Sequence, residues 1–295
     1  MPSPDPRQVA RDLRERFRAA ELRASKRLGQ HFMADLNLAA KLVALLPPPA
    51  RGPVVEIGPG LGALTFLLVA AGHRVVAYEL DPRLAAWLAE ALAPWPAAEV
   101  RQQDFRTVDL EALAAELGAA PADRLQVIGN LPYYATSEIV LQLVAARRRL
   151  DVSVLTMQRE VAERLVAAPG SRAYGALTVA LALRARATLE LRLPRTAFWP
   201  APDVDSAVLR LDWQSGAERR EGAEGSRVGS DGVENGGLEG RGSAAAGEAP
   251  PRDATPGDAL IEAVVRAAFA QRRKRLDNSL AAALAIDRAA ARAAA

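Results

Sequence analysis

The stretch Pro53 to Gly62 constrains this chain more than any other. Pro53-Val54-Val55-Glu56-Ile57 is short and almost wholly apolar, and Gly58-Pro59-Gly60-Leu61-Gly62 follows at once. A continuous apolar run of this length suits a strand buried on both faces, and such strands belong to parallel sheets covered by helices. The glycines permit a tight turn in which backbone can approach a ligand, and a helix from Leu61 to Ala71 offers free N–H groups at its start. The pattern then recurs. Arg74 to Tyr78 reads as a second strand, with a helix from Pro82. Val100 lies in a third strand. Leu125 to Ile128 is a fourth, with a helix over Ser137 to Arg147, and Val152 to Met157 is a fifth. Strands alternating with helices predict an α/β fold, a doubly wound parallel sheet. Thr188 to Leu193 and Ser206 to Leu211 read as an antiparallel pair at one sheet edge, joined through the Pro-rich stretch Phe198 to Pro202.

The flanks differ from this body. Residues 1–28 form a basic arm, with a possible helix from Asp5 to Arg23. Asp35 reads as the N-cap of a helix that runs to Leu46 and is stopped by Pro47-Pro48-Pro49. Residues 29–214 make up the main domain. Residues 215–257 hold 11 of the 21 glycines and no aromatic residue, so they bury too little to offset chain entropy and are expected to be disordered. Helical periodicity returns in 258–295, a small domain. The net charge of +3 conceals an asymmetry, because residues 215–258 carry nine acids against five bases and leave the rest of the chain basic. Of 38 basic residues only Lys26, Lys41 and Lys274 are lysine. Arginine suits phosphate, although a GC-rich coding bias gives the same skew.

Composition also excludes chemistry. With no cysteine there is no disulfide, thiolate zinc site or Cys nucleophile, which suits a reducing cytosol. With only His31 and His73 there is no multi-histidine metal site, and no metal is expected. His73, just before a strand, reads as a surface residue. No apolar run is long enough to span a membrane, and the first 20 residues lack a signal-like apolar stretch.

The Gly58 to Gly62 turn and Glu79, 17 residues beyond Gly62 at the end of the second strand, form a nucleoside-binding pattern. A carboxylate at Glu79 can accept both ribose hydroxyls. The single residue between Gly60 and Gly62 departs from the two-residue gap of the dinucleotide fingerprint and favours S-adenosylmethionine. Asp104, after the third strand, can accept from the cofactor's adenine amine, or can cap a turn. Gly129-Asn130-Leu131-Pro132-Tyr133-Tyr134 follows the fourth strand directly. The exocyclic amine of adenine is a poor nucleophile because its lone pair is delocalised. Two fixed acceptors, the Asn130 side-chain oxygen and the Leu131 carbonyl, can draw it towards a tetrahedral shape. Pro132 stiffens the loop and Tyr133 offers a face for the base.

At these residues the chain resembles the ribosomal RNA adenine dimethyltransferases, most closely the branch acting on bacterial 16S rRNA. The resemblance is carried by Lys26 to Phe32, Glu56 to Gly62, Tyr78 to Asp81, Gln103-Asp104, Asn130 to Tyr133, Met157 to Val161, Arg172 to Gly175, Phe198 to Pro202, Val204 to Val208 and Ala270 to Arg275. It implies a Rossmann-like, S-adenosylmethionine-dependent methyltransferase sheet followed by a small C-terminal helical domain. It also implies cofactor contacts at His31, Met33, Gly58, Gly60, Glu79, Asp104 and Asn130. His31 and Met33 stand where the family commonly has Asn and Leu, and the alternative for His31 is a partly exposed polar residue. Phe198 matches the family aromatic that faces Tyr133 across the target base, its alternative being hairpin core. Arg272, Arg273, Lys274 and Arg275 are expected to touch rRNA phosphate, or to be a solvated helix end. The helical region around Asn278-Ser279-Leu280 is short for the family.

The resemblance implies dimethylation of two adjacent adenosines of 16S rRNA, in the small ribosomal subunit or its precursor; a cytoplasmic location is expected, and with no clear oligomer signal in the sequence a monomer is the default expectation. Three rivals stand beside it: a 23S rRNA adenine methylase of the macrolide-resistance type, a non-catalytic assembly or transcription factor on the same fold, and an NAD-dependent dehydrogenase. The last lacks a hydride-transfer acid or base. The intact Asn130 to Tyr133 segment argues against lost catalysis. The arm before Gly29 and the Arg172 to Gly175 and Val204 to Val208 stretches favour the small-subunit branch.

Overall fold

The computed structural model describes residues 5–13, 15, 23–118 and 124–213. The expectations for the insert at 215–257, the helical domain at 258–295 and the basic run Arg272 to Arg275 lie outside the described residues.

Helices and strands alternate from Val54 onwards. In chain order the elements are α1 (Pro6–Arg11), β1 (Phe32–Met33), α2 (Leu36–Ala44), β2 (Val54–Ile57), α3 (Ala63–Ala70), β3 (Val75–Glu79), α4 (Pro82–Leu92), β4 (Ala98–Gln102), α5 (Leu110–Glu116), β5 (Leu125–Asn130), α6 (Thr136–Ala145), β6 (Leu150–Gln158), α7 (Arg159–Leu165), α8 (Ala176–Ala182), β7 (Ala185–Leu193), β8 (Phe198–Trp199) and β9 (Ser206–Trp213). Several helices start where an aspartate meets orphan N–H groups. Asp35 accepts from the Asn37 and Leu38 amides to open α2. Asp81 accepts from the Arg83 amide, with Pro82 opening α4, and Asp109 caps α5.

The main sheet has seven strands in the order β4-β3-β2-β5-β6-β9-β7. β4, β3, β2, β5 and β6 are mutually parallel, while β9 lies antiparallel between β6 and β7. The expected antiparallel pair is therefore present at one edge. Alternate residues of each parallel strand serve opposite cores. Val55, Ile57, Val76 and Tyr78 pack with α5 to α8, whereas Val54, Val75 and Ala77 pack with α1 to α4. The chain leaves β2 on one side towards β3 and β4 and returns on the other side as β5. The carboxyl ends of β2 and β5 thus flank the switch point where ligands bind in open α/β sheets.

Some elements depart from expectation. The helix predicted to Leu46 ends at Ala44, with Leu45 as its cap. α7 and α8 occupy a stretch for which the sequence suggested no element. Phe198 and Trp199, read as part of a connection, pair instead with Met33 and Phe32 in a separate antiparallel ribbon. His73, expected at the surface, is only 3% exposed. Its backbone amide closes the end of α3 by donating to the Leu68 carbonyl at 3.0 Å, and burial lowers the imidazole pKa. Among the described residues no helix is long and apolar enough to cross a membrane.

Candidate active site

An open-mouthed cleft lies over the carboxyl ends of β2, β3 and β5. Its wall collects residues from distant parts of the chain, including His31, Gly58, Gly60, Glu79, Asp104, Asn130 and Tyr133. In the parallel ladder Ile57 is level with Gly129, so Gly58 and Asn130 emerge side by side.

The turn after β2 has left-handed backbone at Gly58 and Gly60, with φ of 64° and 56°. A Cβ on Gly60 would sit 2.7 Å from the Phe32 ring. What Gly60 makes room for is thus a protein side chain on β1. A Cβ on Gly58 would meet only the Asn130 carbonyl oxygen, at 3.7 Å. The general expectation that these glycines admit a ligand therefore narrows to the first of them.

Glu79 ends β3 and is buried. Its carboxylate accepts from the Gly60 amide at 3.0 Å and from the Asp81 amide at 2.9 Å. Burial raises its pKa, and these backbone bonds oppose the rise. Two bonds leave acceptor capacity on both oxygens, and the residue borders the cleft, so a ribose diol can be met there. Asp104 takes its turn-capping reading, at the 3₁₀ turn Phe105–Thr107, and also faces the cleft. Its carboxylate is held by Arg106, with Nη2 at 2.7 Å, which lowers its pKa.

Asn130 ends β5. Its Nδ2 donates to the His31 carbonyl at 2.6 Å, which fixes the amide plane and leaves Oδ1 as an acceptor. The Leu131 amide donates to the Thr156 carbonyl at 2.9 Å. Pro132 precedes a 3₁₀ turn, Tyr133–Ala135, and its carbonyl accepts from the Ala135 amide at 3.0 Å. The Tyr133 hydroxyl meets Ser206 Oγ at 2.8 Å. The His31 ring stacks on the Tyr133 ring at 5.9 Å, with 26° between planes. Its Nδ1 donates to the Pro200 carbonyl at 2.8 Å. His31 therefore contributes both its backbone carbonyl and its ring.

Phe198 takes its alternative reading, core. It is 3% exposed and packs in the same core as Phe32 and Met33, away from the cleft wall. Pairing of β8 with β1 turns it inward, and His31 is the ring against Tyr133. Met33 is likewise buried, away from the cleft wall, and borders a smaller cavity beside the Gly58 turn. That cavity also exposes a group whose role the sequence did not reveal. Glu56, 1% exposed in the middle of β2, takes a 2.6 Å bond from Thr65 Oγ1. Burial pushes its carboxyl up to about 8. The available signal was an acid within an otherwise apolar strand. No group of three metal-ligating side chains occurs among the described residues.

Residues 21–220 match the family model described as ribosomal RNA adenine dimethylase. The chain is 42% identical over 186 residues to ribosomal RNA small subunit methyltransferase A of Geobacillus kaustophilus, covering 63% of each protein. It is 42% identical over 191 residues to the protein of that name from Leuconostoc citreum, covering 64% of each. The match thus spans less than two thirds of these relatives' length. Among solved structures, the 23S rRNA methyltransferase ErmE superposes with a TM-score of 0.58 at 26% identity, over 84% of this chain and 83% of that one. A dimethyladenosine transferase from Plasmodium falciparum superposes with a TM-score of 0.59 at 21% identity, over 85% and 74%, a likeness of fold.

Proposed function

We propose that this chain, which belongs to the ribosomal RNA adenine dimethylase family, is an S-adenosylmethionine-dependent methyltransferase that places two methyl groups on the exocyclic amine of each of two adjacent adenosines near the 3′ end of 16S rRNA. The substrate is the small ribosomal subunit or its precursor, in the cytoplasm. One observation carries the reading. The Asn130 amide at the switch point is anchored through its nitrogen, so its oxygen is presented as a fixed acceptor beside Gly58 and within the cleft that holds Glu79.

The donor set fits this cofactor. Glu79 provides a carboxylate for the ribose, Asp104 an acceptor for the adenine amine, and Gly58 a turn without a side chain. When bound, S-adenosylmethionine supplies an electrophilic methyl group on a sulfonium. The residues of the chain do the rest. Asn130 Oδ1 and the Leu131 carbonyl accept from the two amine hydrogens and draw the nitrogen towards a tetrahedral shape, which takes its lone pair out of conjugation with the ring. As positive charge develops on nitrogen, both bonds strengthen, so they favour the transition state over the ground state. The Tyr133 ring orients the base, and its own tilt is set by Ser206 and His31. No strong base is required, because the amine proton becomes acidic on alkylation.

The small-subunit assignment is supported by 42% identity to small-subunit methyltransferases against 26% to the 23S enzyme. The test is incubation with labelled S-adenosylmethionine and unmethylated small subunits, followed by mapping of the modified bases. Label on two adjacent adenosines of 16S rRNA is expected. Label only on free 23S rRNA, or none at all, would overturn the reading.

A further inference from the structure

We propose that Tyr134, with Arg106 held against its ring, forms a second stacking subsite at the mouth of the cleft, for the nucleobase next to the one that enters it. This subsite rests on the RNA-methylation reading above.

The 3₁₀ turn Tyr133–Ala135 sends consecutive side chains in different directions, about 120° apart. Tyr133 turns towards Ser206, and Ala135 enters the core. Tyr134 is the one left pointing outward. At 54% exposure it is the sole aromatic among the exposed large hydrophobic side chains of the described residues. An aromatic ring normally gains from burial, so a ring left open at the rim of a cleft is available to a partner.

Its surroundings hold it in place. The Arg106 guanidinium carbon lies 5.9 Å from the ring centroid. Arg106 is itself tied to Asp104 at 2.7 Å and to Glu138 at 2.8 Å. A guanidinium shared between two carboxylates is not readily released to pair with a phosphate, so its effect is local. It supports one face of the tyrosine by cation–π attraction and leaves the other for a base. Gly29 lies beside the ring: a Cβ there would come within 3.9 Å of Tyr134 Cδ1, ordinary contact. Stacking on an aromatic face tolerates any base. The subsite would therefore hold a single-stranded neighbour splayed from the target base without reading its identity.

The rival role for this ring is a cover over the cofactor's adenine, because Asp104 and Arg106 share the same wall. Steady-state methyl transfer to unmethylated small subunits by the full chain, with S-adenosylhomocysteine affinity from calorimetry, separates the two. Tyr134→Ala should raise KM for the subunit by roughly 5- to 100-fold, the range for one base–aromatic stack. Cofactor-product affinity should stay within about twofold, well under the tenfold that 1.4 kcal/mol represents. Tyr134→Phe should restore KM, since the ring and not the hydroxyl is used. Tyr134→Leu, apolar but without a π face, should behave like the alanine variant, whereas a mere packing role would make it resemble phenylalanine. Unchanged KM in the alanine variant, or a loss confined to cofactor-product affinity, would overturn the subsite while wild-type transfer upholds the function. Failure of the wild type to methylate small subunits would remove the function and the subsite together.

Discussion

Glu56→Gln isolates the energetic consequence of an acid under the glycine turn. Glu56 is fully enclosed on β2, and burial pushes its carboxyl up to about 8; the Thr65 hydrogen bond opposes the shift, and the neighbouring Glu79 adds to it. In the unfolded chain the same group titrates near 4.5. Between those values folding takes up a proton, so this group's contribution to stability is full below the lower value. It is lost as pH rises through the window and is level above the upper one. The slope is about 1.4 kcal/mol per pH unit, which integrates to roughly 3 kcal/mol by neutral pH and about 5 kcal/mol across the window, as upper bounds. Glutamine keeps the shape and removes the proton. Its extra donors cost on the order of 1 kcal/mol at every pH, so the difference in slope is the diagnostic quantity. Urea unfolding of both proteins at pH 6, 7 and 8 measures it, because histidines and other carboxylates are common to the two and cancel. The variant should gain about 1–3 kcal/mol relative to wild type between the ends of that series. Parallel pH profiles would refute the claim that Glu56 is protonated in the folded state.

Other expected outcomes concern the proposed chemistry. Asn130→Ala removes the anchored acceptor, so kcat should fall about 10²- to 10³-fold while S-adenosylhomocysteine affinity, followed by calorimetry, changes far less. Glu79→Ala frees the Gly60 and Asp81 amides and removes the ribose acceptor; cofactor-product binding should weaken by about 2–3 kcal/mol, and an unaltered Kd would refute the assignment. Changing both Arg272 and Arg273 to Glu should weaken binding to small subunits and flatten its salt dependence by roughly one unit of slope for each phosphate no longer neutralised. Equal affinities with parallel salt slopes would mark the run as a solvated helix end.

The sequence made the parallel sheet legible because its central strands are buried on both faces and therefore read as mostly apolar runs. Val54 to Ile57 and Val75 to Glu79 are buried throughout. Asp35 announced its helix as a side-chain cap, and Pro82 marked the start of another. α7 and α8 gave no such signal, since each has seven residues and neither Gln158 nor Gly175 offers a side-chain cap. The ribbon of β1 and β8 is two residues long, too short for any alternation to register. The cleft residues Gly58, Glu79, Asp104 and Asn130 were legible for a geometric reason: each follows or ends a strand of one parallel sheet, and parallel strands end on the same side. Phe198 was not, because its direction depends on pairing with Met33, far away in the sequence. The same holds for His73, whose burial depends on the chain folding back at the end of α3.

That short ribbon also joins the proposed cofactor side of the cleft to the proposed base side. His31 and Phe32 are consecutive, and each serves a different half. The His31 carbonyl fixes the Asn130 amide, and its ring supports Tyr133. The Phe32 ring fills the space that Gly60 leaves open, and Gly60 is in turn held by Glu79. Pairing with Phe198 and Trp199, and the bond from the His31 ring to the Pro200 carbonyl, tie this segment to the far end of the described chain. The Asn130 amide, the acceptor we propose for the reaction, is thus oriented by a backbone carbonyl and not by a neighbouring side chain. A substitution at position 31 therefore preserves that bond provided the backbone path of residues 31–33 is kept. This accounts physically for a histidine standing where an asparagine is common in the family: the side chain changes its own partners, to Tyr133 and Pro200, while the carbonyl continues to orient Asn130.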